Sequence, residues 1–510
     1  MRRHRIQERF DWSLTQRMSS HRQIFKSTAL IGGTQIINLG MAVVRTKALA
    51  LMLGPSGIGL AGLYMAATGL IGSLAGLGLN ASGVRQIAEA AGTNDEIQIA
   101  RTIVTLRRVA LISGLLGTVL VLVLSQLLSR VTFGDYKHVW GVALMSLTLL
   151  FGGISAGQGA LLQGLRRLRD LAASQIVGTL FGSVVSMALV WWLREQGIVP
   201  YLVAISAFGV LLSWWYARRV PVQRVSVSWG ETLKESRGLL GLGLAFTLSA
   251  LISSGGTYLT RVLVQRHLGI EAVGVYTATV TLSSYYVGFV LAAMGADFMP
   301  RLTAAARDNG TLNRLINEQT EMGILIAVPG VLATLALAPW VMKVFYSGAF
   351  VQGADVVRWQ ILGVFLRVVS WPLGYALIAK GKSLIYMLTE LVTGIVNIGL
   401  ILLCMRFWKL EGVGISFALL YLFYTLMMAI VMRRLTGFHW SVTASKILAP
   451  AVLFLGAIFC GTRFLSEVWG TGVGLASTMA AGVVSLLALQ HLLGVNLWLA
   501  VRRKFRPEPI

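Results

Sequence analysis

Apolar runs of roughly 18 to 27 residues, closed by charges or by Gly/Pro turns, recur along the chain, and each is long enough for a helix to cross a hydrocarbon layer. They predict about fourteen transmembrane helices, over residues 27–53, 58–80, 103–129, 139–165, 171–193, 201–216, 239–264, 272–296, 320–346, 354–379, 383–405, 413–432, 446–464 and 471–493. The fold class that follows is an all-α polytopic membrane protein, because a helix satisfies its own backbone hydrogen bonds where no water reaches.

The pattern also repeats. Helices 1–6 and 7–12 match at a shift of about 216 residues, which lays Asn38 on Ser254, Arg45 on Arg261, Arg85 on Arg301 and Gly178 on Gly394. The turn LGPSGIG at 53–59 answers LGIEAVG at 268–274 one residue out of phase, and GVRQIAEAAGTND resembles MPRLTAAARDNG. The expected organisation is two pseudo-symmetric six-helix lobes plus two C-terminal helices. In order, these are a basic cytoplasmic tail (1–26), an N-lobe (27–217), a cytoplasmic linker (218–238), a C-lobe (239–434), two additional helices (435–498) and a basic cytoplasmic tail (499–510). Parallel repeats of an even number of spans are expected to enclose a central cavity that opens alternately to each side.

Composition agrees: 56% of residues are hydrophobic and 13% charged, with a mean hydropathy of +0.74, against roughly 25% charged in soluble domains. The net charge of +24 does not point to nucleic acid, since the basic residues lie between apolar spans rather than on one solvated face. The clusters Arg166/Arg167/Arg169, Arg218/Arg219/Arg224, Arg433/Arg434 and Arg502/Arg503/Lys504 fall on one side, which orients the chain N-in and C-in. The N-terminus lacks the apolar core of a cleavable signal peptide, and Met1 and Met18 both stand as possible starts. Cys404 and Cys460 lie in separate apolar stretches and read as packing residues, with no disulfide, metal or cofactor implied. Gly381-Lys382-Ser383 is a tight turn and no phosphate loop, because Ala376 stands where that loop needs glycine. Short outer loops with isolated His138 and His267 supply no gathered acid/base groups, which disfavours a membrane glycan polymerase or ligase.

Charges inside spans are costly and mark function or pairing. Arg45 shares a helical face with Thr34 and Asn38, and Arg261 with Ser254, Tyr258 and Gln265, so each lobe presents an arginine on a polar stripe. Snorkelling to the outer surface is the alternative for both, and it is the expected role of Lys47 on the opposite face. Arg367, mid-helix with Ser370 and Trp371 one turn on, is expected to face a cavity. Glu390 is expected either to pair with Arg367 or to couple transport to protons. Arg85 and Arg301 lie at the inner mouth, available to an anionic headgroup or simply part of the orienting charge. Tyr285/Tyr286 and Trp371 are candidates for stacking on sugars or for packing, while Trp191/Trp192 and Trp214/Trp215 read as interface belts.

Three segments carry a resemblance: RTKALALMLGPSGIGLAGLY (45–64), SLAGLGLNASGVRQIAEA (73–90) and LLQGLRRLRDLAASQIVG (161–178). With helix number and spacing over about the first 430 residues, the chain resembles the lipid-linked oligosaccharide flippases, O-antigen translocases included, of the multidrug/oligosaccharidyl-lipid/polysaccharide exporter superfamily. The additional helix pair is similar to the fourteen-helix arrangement of lipid II flippases. The resemblance implies a bacterial cytoplasmic (inner) membrane protein without enzymatic chemistry. Its implied substrate is a polyprenyl-diphosphate-linked oligosaccharide moved to the periplasmic leaflet for O-antigen or exopolysaccharide assembly, with a polysaccharide polymerase and a chain-length regulator as partners. Arg45, Arg261 and Arg367 would supply cations for the diphosphate, and Asn38, Ser254 and Tyr258 polar contacts. A cation-coupled multidrug exporter of the same superfamily and a nonenzymatic scaffold are the other readings. Acidic cavity residues would mark the exporter, and a scaffold has no need of buried arginines.

Overall fold

The computed structural model describes the backbone of residues 2–76, 78–93, 95–223, 225–465 and 467–493. It describes side chains from 30 to 492, apart from those at 77, 80–81, 94, 224, 237–246, 249, 289–290, 292–293, 295–297 and 466–468. The C-terminal tail, with Arg502/Arg503/Lys504, lies outside the described residues, as does Arg224.

Among the described residues all regular structure is helical. The elements are α1 (Arg2–Ala75), α2 (Leu79–Gly92), α3 (Glu96–Phe133), α4 (Val139–Gly164), α5 (Leu168–Leu193), α6 (Ile198–Ala217), α7 (Trp229–Leu268), α8 (Ile270–Ala304), α9 (Asn309–Phe345), α10 (Ala354–Ala379), α11 (Ser383–Thr436), α12 (Val442–Phe464) and α13 (Glu467–Leu493). Nine stretches among the described residues are long and apolar enough to cross a membrane. Three of these, Leu30–Ala75, Leu168–Ala217 and Ser383–Thr436, have 46, 50 and 54 residues, room for two crossings each. Together they carry twelve of the expected spans, and the remaining two lie on α7 and α8.

The breaks within the long helices are backbone events. In α1 the first and second spans meet at Gly54 (φ 65°), followed by Pro55 at the start of the second arm, where a missing N–H costs nothing. Gly269, between α7 and α8, has φ 84°. This is the position that answers Gly54 in the repeat, and a left-handed residue there is accessible to glycine at little cost. The capping residues repeat too: Asp95 caps α3 by accepting from the Ile97 and Gln98 amides, and Asp308 caps α9 by accepting from Gly310. The expected second span overran its helix: α1 stops at Ala75, the chain turns through Gly76 and Gly78 (φ 61°), and α2 is a separate helix. Within the expected linker, α7 already begins at Trp229. A reciprocal capping pair starts it, the Ser228 amide donating to Glu231 at 2.7 Å and the Glu231 amide to Ser228 Oγ at 3.2 Å.

The chain divides into two compact units, 1–53 with 60–258, and 54–59 with 259–510. In the first, α3 packs on α4, α4 on α6 and α5 on α6. Ile87, Ile103, Leu106, Leu161 and Leu162 form a buried core at the end that carries the basic turns. The linker is tied to this end. Arg108 donates from Nη1 to the Val227 carbonyl and to Thr232 Oγ1, both at 2.8 Å, and Thr105 donates to Glu235 at 2.7 Å.

In the second unit α9 is the hub, contacted by α10, α12 and α13. Its polar face holds the turn before α12: the Ser441 amide donates to Asn317 Oδ1 at 2.8 Å, and its hydroxyl to Glu321 at 2.7 Å. The helix pair beyond the repeat is thereby built into this unit. Residues 54–59 belong here because their backbone lies against α8, and a Cβ on Gly274 would collide with the Pro55 carbonyl, as one on Gly59 would with that of Ile270. At the far end of α11 the chain kinks at Lys409 (φ 48°). Beyond the kink, the Glu411 carboxylate accepts from Trp359 Nε1 at 2.8 Å and from both terminal guanidinium nitrogens of Arg463, Nη1 and, at 3.1 Å, Nη2.

Burial by itself would raise the Glu411 carboxyl, but the hydrogen bonds from Arg463 and Trp359 outweigh it and hold the group below the usual carboxylate range. Its contribution to stability is therefore present above that range and is lost as pH falls through it. A Glu411→Gln protein in detergent is expected to unfold at a lower temperature than wild type at pH 7 and to lose less on acidification. Parallel acid profiles for the two proteins would exclude this role.

Candidate functional site

On the first arm of α1, Thr34 is buried and its hydroxyl turns back to the Leu30 carbonyl at 2.8 Å. The other two stripe residues are not satisfied in this way. Asn38 Oδ1 and Arg45 Nε are buried without a hydrogen-bond partner among the described residues. Arg45 reaches Ser183 of α5 only at 3.5 Å, the weak end of the range. Ser183 donates its own proton to Thr179 at 2.6 Å, so it can only accept from the guanidinium. A half-buried guanidinium with no carboxylate is an unfilled demand for an anion or water.

The second unit repeats the feature. Among the described residues, Arg261 Nε and, one turn on, Gln265 Oε1 are buried without hydrogen-bond partners, and the guanidinium lies within electrostatic reach of the Tyr276 phenol. The rest of the expected stripe on α7 divides. Ser254 is half-buried, whereas Tyr258 is 5% exposed and its hydroxyl meets Thr132 of α3 at 2.8 Å, both residues belonging to the first unit. This is a helix-packing contact. Gln360 of α10 and Thr277 of α8 also hold unpartnered buried polar atoms, Nε2 and Oγ1, although Gln360 accepts from Ser283 at 3.0 Å. The sequence reading missed Gln360. Its signal was a lone amide in an apolar run, seven residues before Arg367 and so on the same face.

Arg367 lies over the Tyr421 ring at 5.6 Å, and among the described residues its guanidinium donates no hydrogen bond and forms no ion pair. Glu390, half-buried on α11, accepts from Tyr424 at 3.4 Å. The two charges influence each other without closing to ion-pair distance. Around them the Tyr421 and Tyr424 rings stand 6.2 Å apart, and Trp371 and Tyr375 4.1 Å apart. The tyrosines were not singled out from sequence, because aromatics in spans are mostly packing residues. Tyr286 is one of those, bonded to the Ala327 carbonyl at 2.6 Å.

The two arginines expected at the inner mouth are partnered. Arg85 on α2 pairs with Glu89 at 2.7 Å, one turn on. Arg301 lies 3.8 Å from Glu318, which also stands 3.7 Å from Arg314. Both pairs are largely exposed and of small energetic weight. The Trp191 and Trp192 side chains are exposed, Cys404 is buried and Cys460 is an exposed free thiol.

Tyr258→Phe removes one buried hydrogen bond and is expected to cost on the order of 1 kcal/mol of stability, seen as a lower unfolding temperature in detergent. An unchanged unfolding temperature would show that the phenol does not hold α7 on α3.

Comparison with known proteins places these features. Residues 24–305 match the family described as polysaccharide biosynthesis protein. The chain is 27% identical over 384 residues to the lipid III flippases of Escherichia coli (strain K12) and of Shigella flexneri, covering 72% of this chain and 87% of each relative. Among solved structures it resembles a lipid II flippase in an inward closed conformation, with a TM-score of 0.67 and 11% identity, over 92% of this chain and 99% of the other. An inward-facing multidrug resistance transporter gives a TM-score of 0.65 and 18% identity, over 79% and 98% of the two chains. At such identities the structures show a shared fold. The match of the family model over more than half of the sequence shows that the chain belongs to the polysaccharide biosynthesis protein family.

Proposed function

We propose that the protein is a flippase that carries polyprenyl-diphosphate-linked oligosaccharide repeat units from the cytoplasmic to the periplasmic leaflet of a bacterial inner membrane, for O-antigen or exopolysaccharide assembly. The observation that carries this reading is the pair of repeat-related arginines, Arg45 and Arg261, each with a buried Nε that has no hydrogen-bond partner among the described residues. A diphosphate is the chemical complement of such groups, since guanidinium forks match phosphate oxygens in charge and geometry. The lipid III flippases among the relatives support a lipid-linked substrate. A carrier of cationic drugs would need unpaired carboxylates. Here the half-buried Glu390, which Tyr424 approaches at 3.4 Å, is outnumbered by the open guanidinium groups of Arg45, Arg261 and Arg367.

In this reading Asn38 and Gln265 extend the arginine sites toward sugar hydroxyls, and Arg367 adds a third cation. Arg85 and Arg301 exchange their carboxylate partners for a headgroup during loading, while Ser254 lines the path. The two halves rock in alternating access with N- and C-termini in the cytoplasm, and the work is transport with no bond made or broken. A polymerase and a chain-length regulator take over the product.

Arg45→Ala and Arg261→Ala are each expected to lower surface polysaccharide by at least about tenfold, the scale of a lost charge-assisted contact, while the protein still inserts. Normal polysaccharide in both strains would sink the cationic site. Glu390 is the proposed coupling residue, because it sits in reach of Arg367 under a tyrosine donor. A Glu390→Gln protein is expected to lose the dependence of transport on the proton gradient, and full retention of that dependence would remove it from the role.

A further inference from the structure

At the basic end of the first unit, a cavity of about 450 Å³ opens between α3, α4 and α6 and is lined by Arg107, Gln158, Trp214 and Arg218 among apolar residues. Neither guanidinium has a carboxylate or any other hydrogen-bond acceptor among the described residues. Arg218 is instead held between indoles, 4.8 Å from the Trp214 ring and 3.9 Å from that of Trp215, an arrangement that orients the cation without neutralising it. Gln158 supplies an independent sign. It lies on the cavity wall and is 7% exposed, its carbonyl oxygen accepts from Ser213, and its NH2 group donates no hydrogen bond among the described residues.

An apolar groove of about 470 Å³ adjoins this cavity along α4 and α6. It shares Ile154, Gln158 and Trp214 with the cavity and continues over Phe151, Phe208 and Leu211. Cationic and amide donors at one end and a hydrocarbon-lined trough at the other have the polarity of a single lipid molecule. The flanking Arg166, Arg167 and Arg219 mark this end as the boundary where anionic headgroups collect on the cytoplasmic leaflet. The cavity is near the lower end of the roughly 300–1,000 Å³ of small-molecule sites, which suits a glycerophosphate headgroup and not a diphosphate bearing several sugars.

We propose that this is a binding site for an anionic phospholipid of the bilayer. Its phosphate is held by Arg107, Arg218 and the Gln158 NH2, and an acyl chain lies on Phe208 and Leu211. The site is separate from Arg45, whose guanidinium turns to Ser183 on α5, and it stands whether or not the transported substrate is the one proposed above.

The test is native mass spectrometry of the full chain in detergent, titrated with phosphatidylglycerol or phosphatidylcholine of the same acyl chains. Wild type is expected to retain phosphatidylglycerol preferentially. Arg107→Gln and Arg218→Gln should each weaken that preference about fivefold, the scale of one cation at an anionic surface. Leu211→Trp fills the groove at an exposed position and should shorten retention with the arginines intact, which keeps the proposal testable if the arginine variants do not fold. Equal retention of the two lipids by wild type, or an unchanged preference in the arginine variants, overturns the proposal. Displacement of phosphatidylglycerol by equimolar glycerol 3-phosphate would reveal an anion site without a chain requirement. Displacement by equimolar undecaprenyl phosphate would reassign the site to a carrier lipid, and either result also overturns it.

Discussion

A guanidinium held among apolar helices is the constraint around which this molecule is arranged. Inside an apolar layer the peptide groups are satisfied by the helix itself, so backbone structure costs little and needs no partner. A charged side chain has no such internal solution and requires a carboxylate, an aromatic face, water or a ligand. The first two solutions are in use. Glu89 partners Arg85, Glu411 partners Arg463, and the rings of Tyr421 and of Trp214 and Trp215 carry Arg367 and Arg218. Arg45 and Arg261 have neither kind of partner at Nε, although the two units pack otherwise as dense helical cores.

That inequality separates positions that build the fold from positions that serve it. The charged pairs sit near helix ends, where water shares the cost and the interaction is worth little. The Glu411 cluster is the exception among them, because one carboxylate receives donors from α10 and α12 just beyond the kink in α11 and so links three helices. The unpaired arginines instead recur at matching places in both halves, Arg45 nine residues before Gly54 and Arg261 eight before Gly269, the positive-φ glycine that ends each first helix. Each time a positive-φ glycine ends the helix, a cation stands little more than two turns before it.

Much of this was legible from residues alone. Length and hydropathy of the runs located the helices, and the two turns that answer each other at a shift of about 216 residues each hold a glycine of positive φ, at 54 and 269, which the sequence pattern did not specify. Helix boundaries were less legible where glycine acts through backbone geometry: the break at Gly76 and Gly78 ended the second span early and released α2 as a separate helix.

By itself the sequence determined which segments are helical, how they repeat and where charge enters apolar spans, because insertion energetics is summed locally along the chain and is readable residue by residue. Only the tertiary structure decided which polar groups are satisfied. Tyr258 meets Thr132 and is a packing residue, Arg85 is balanced by Glu89, and Gln360 keeps an open amide beside its bond to Ser283. The cavity of Arg107, Gln158 and Arg218 likewise exists only because α3, α4 and α6 converge. A hydrogen-bond partner is set by which helix faces pack together, and that depends on contacts between residues far apart in the chain.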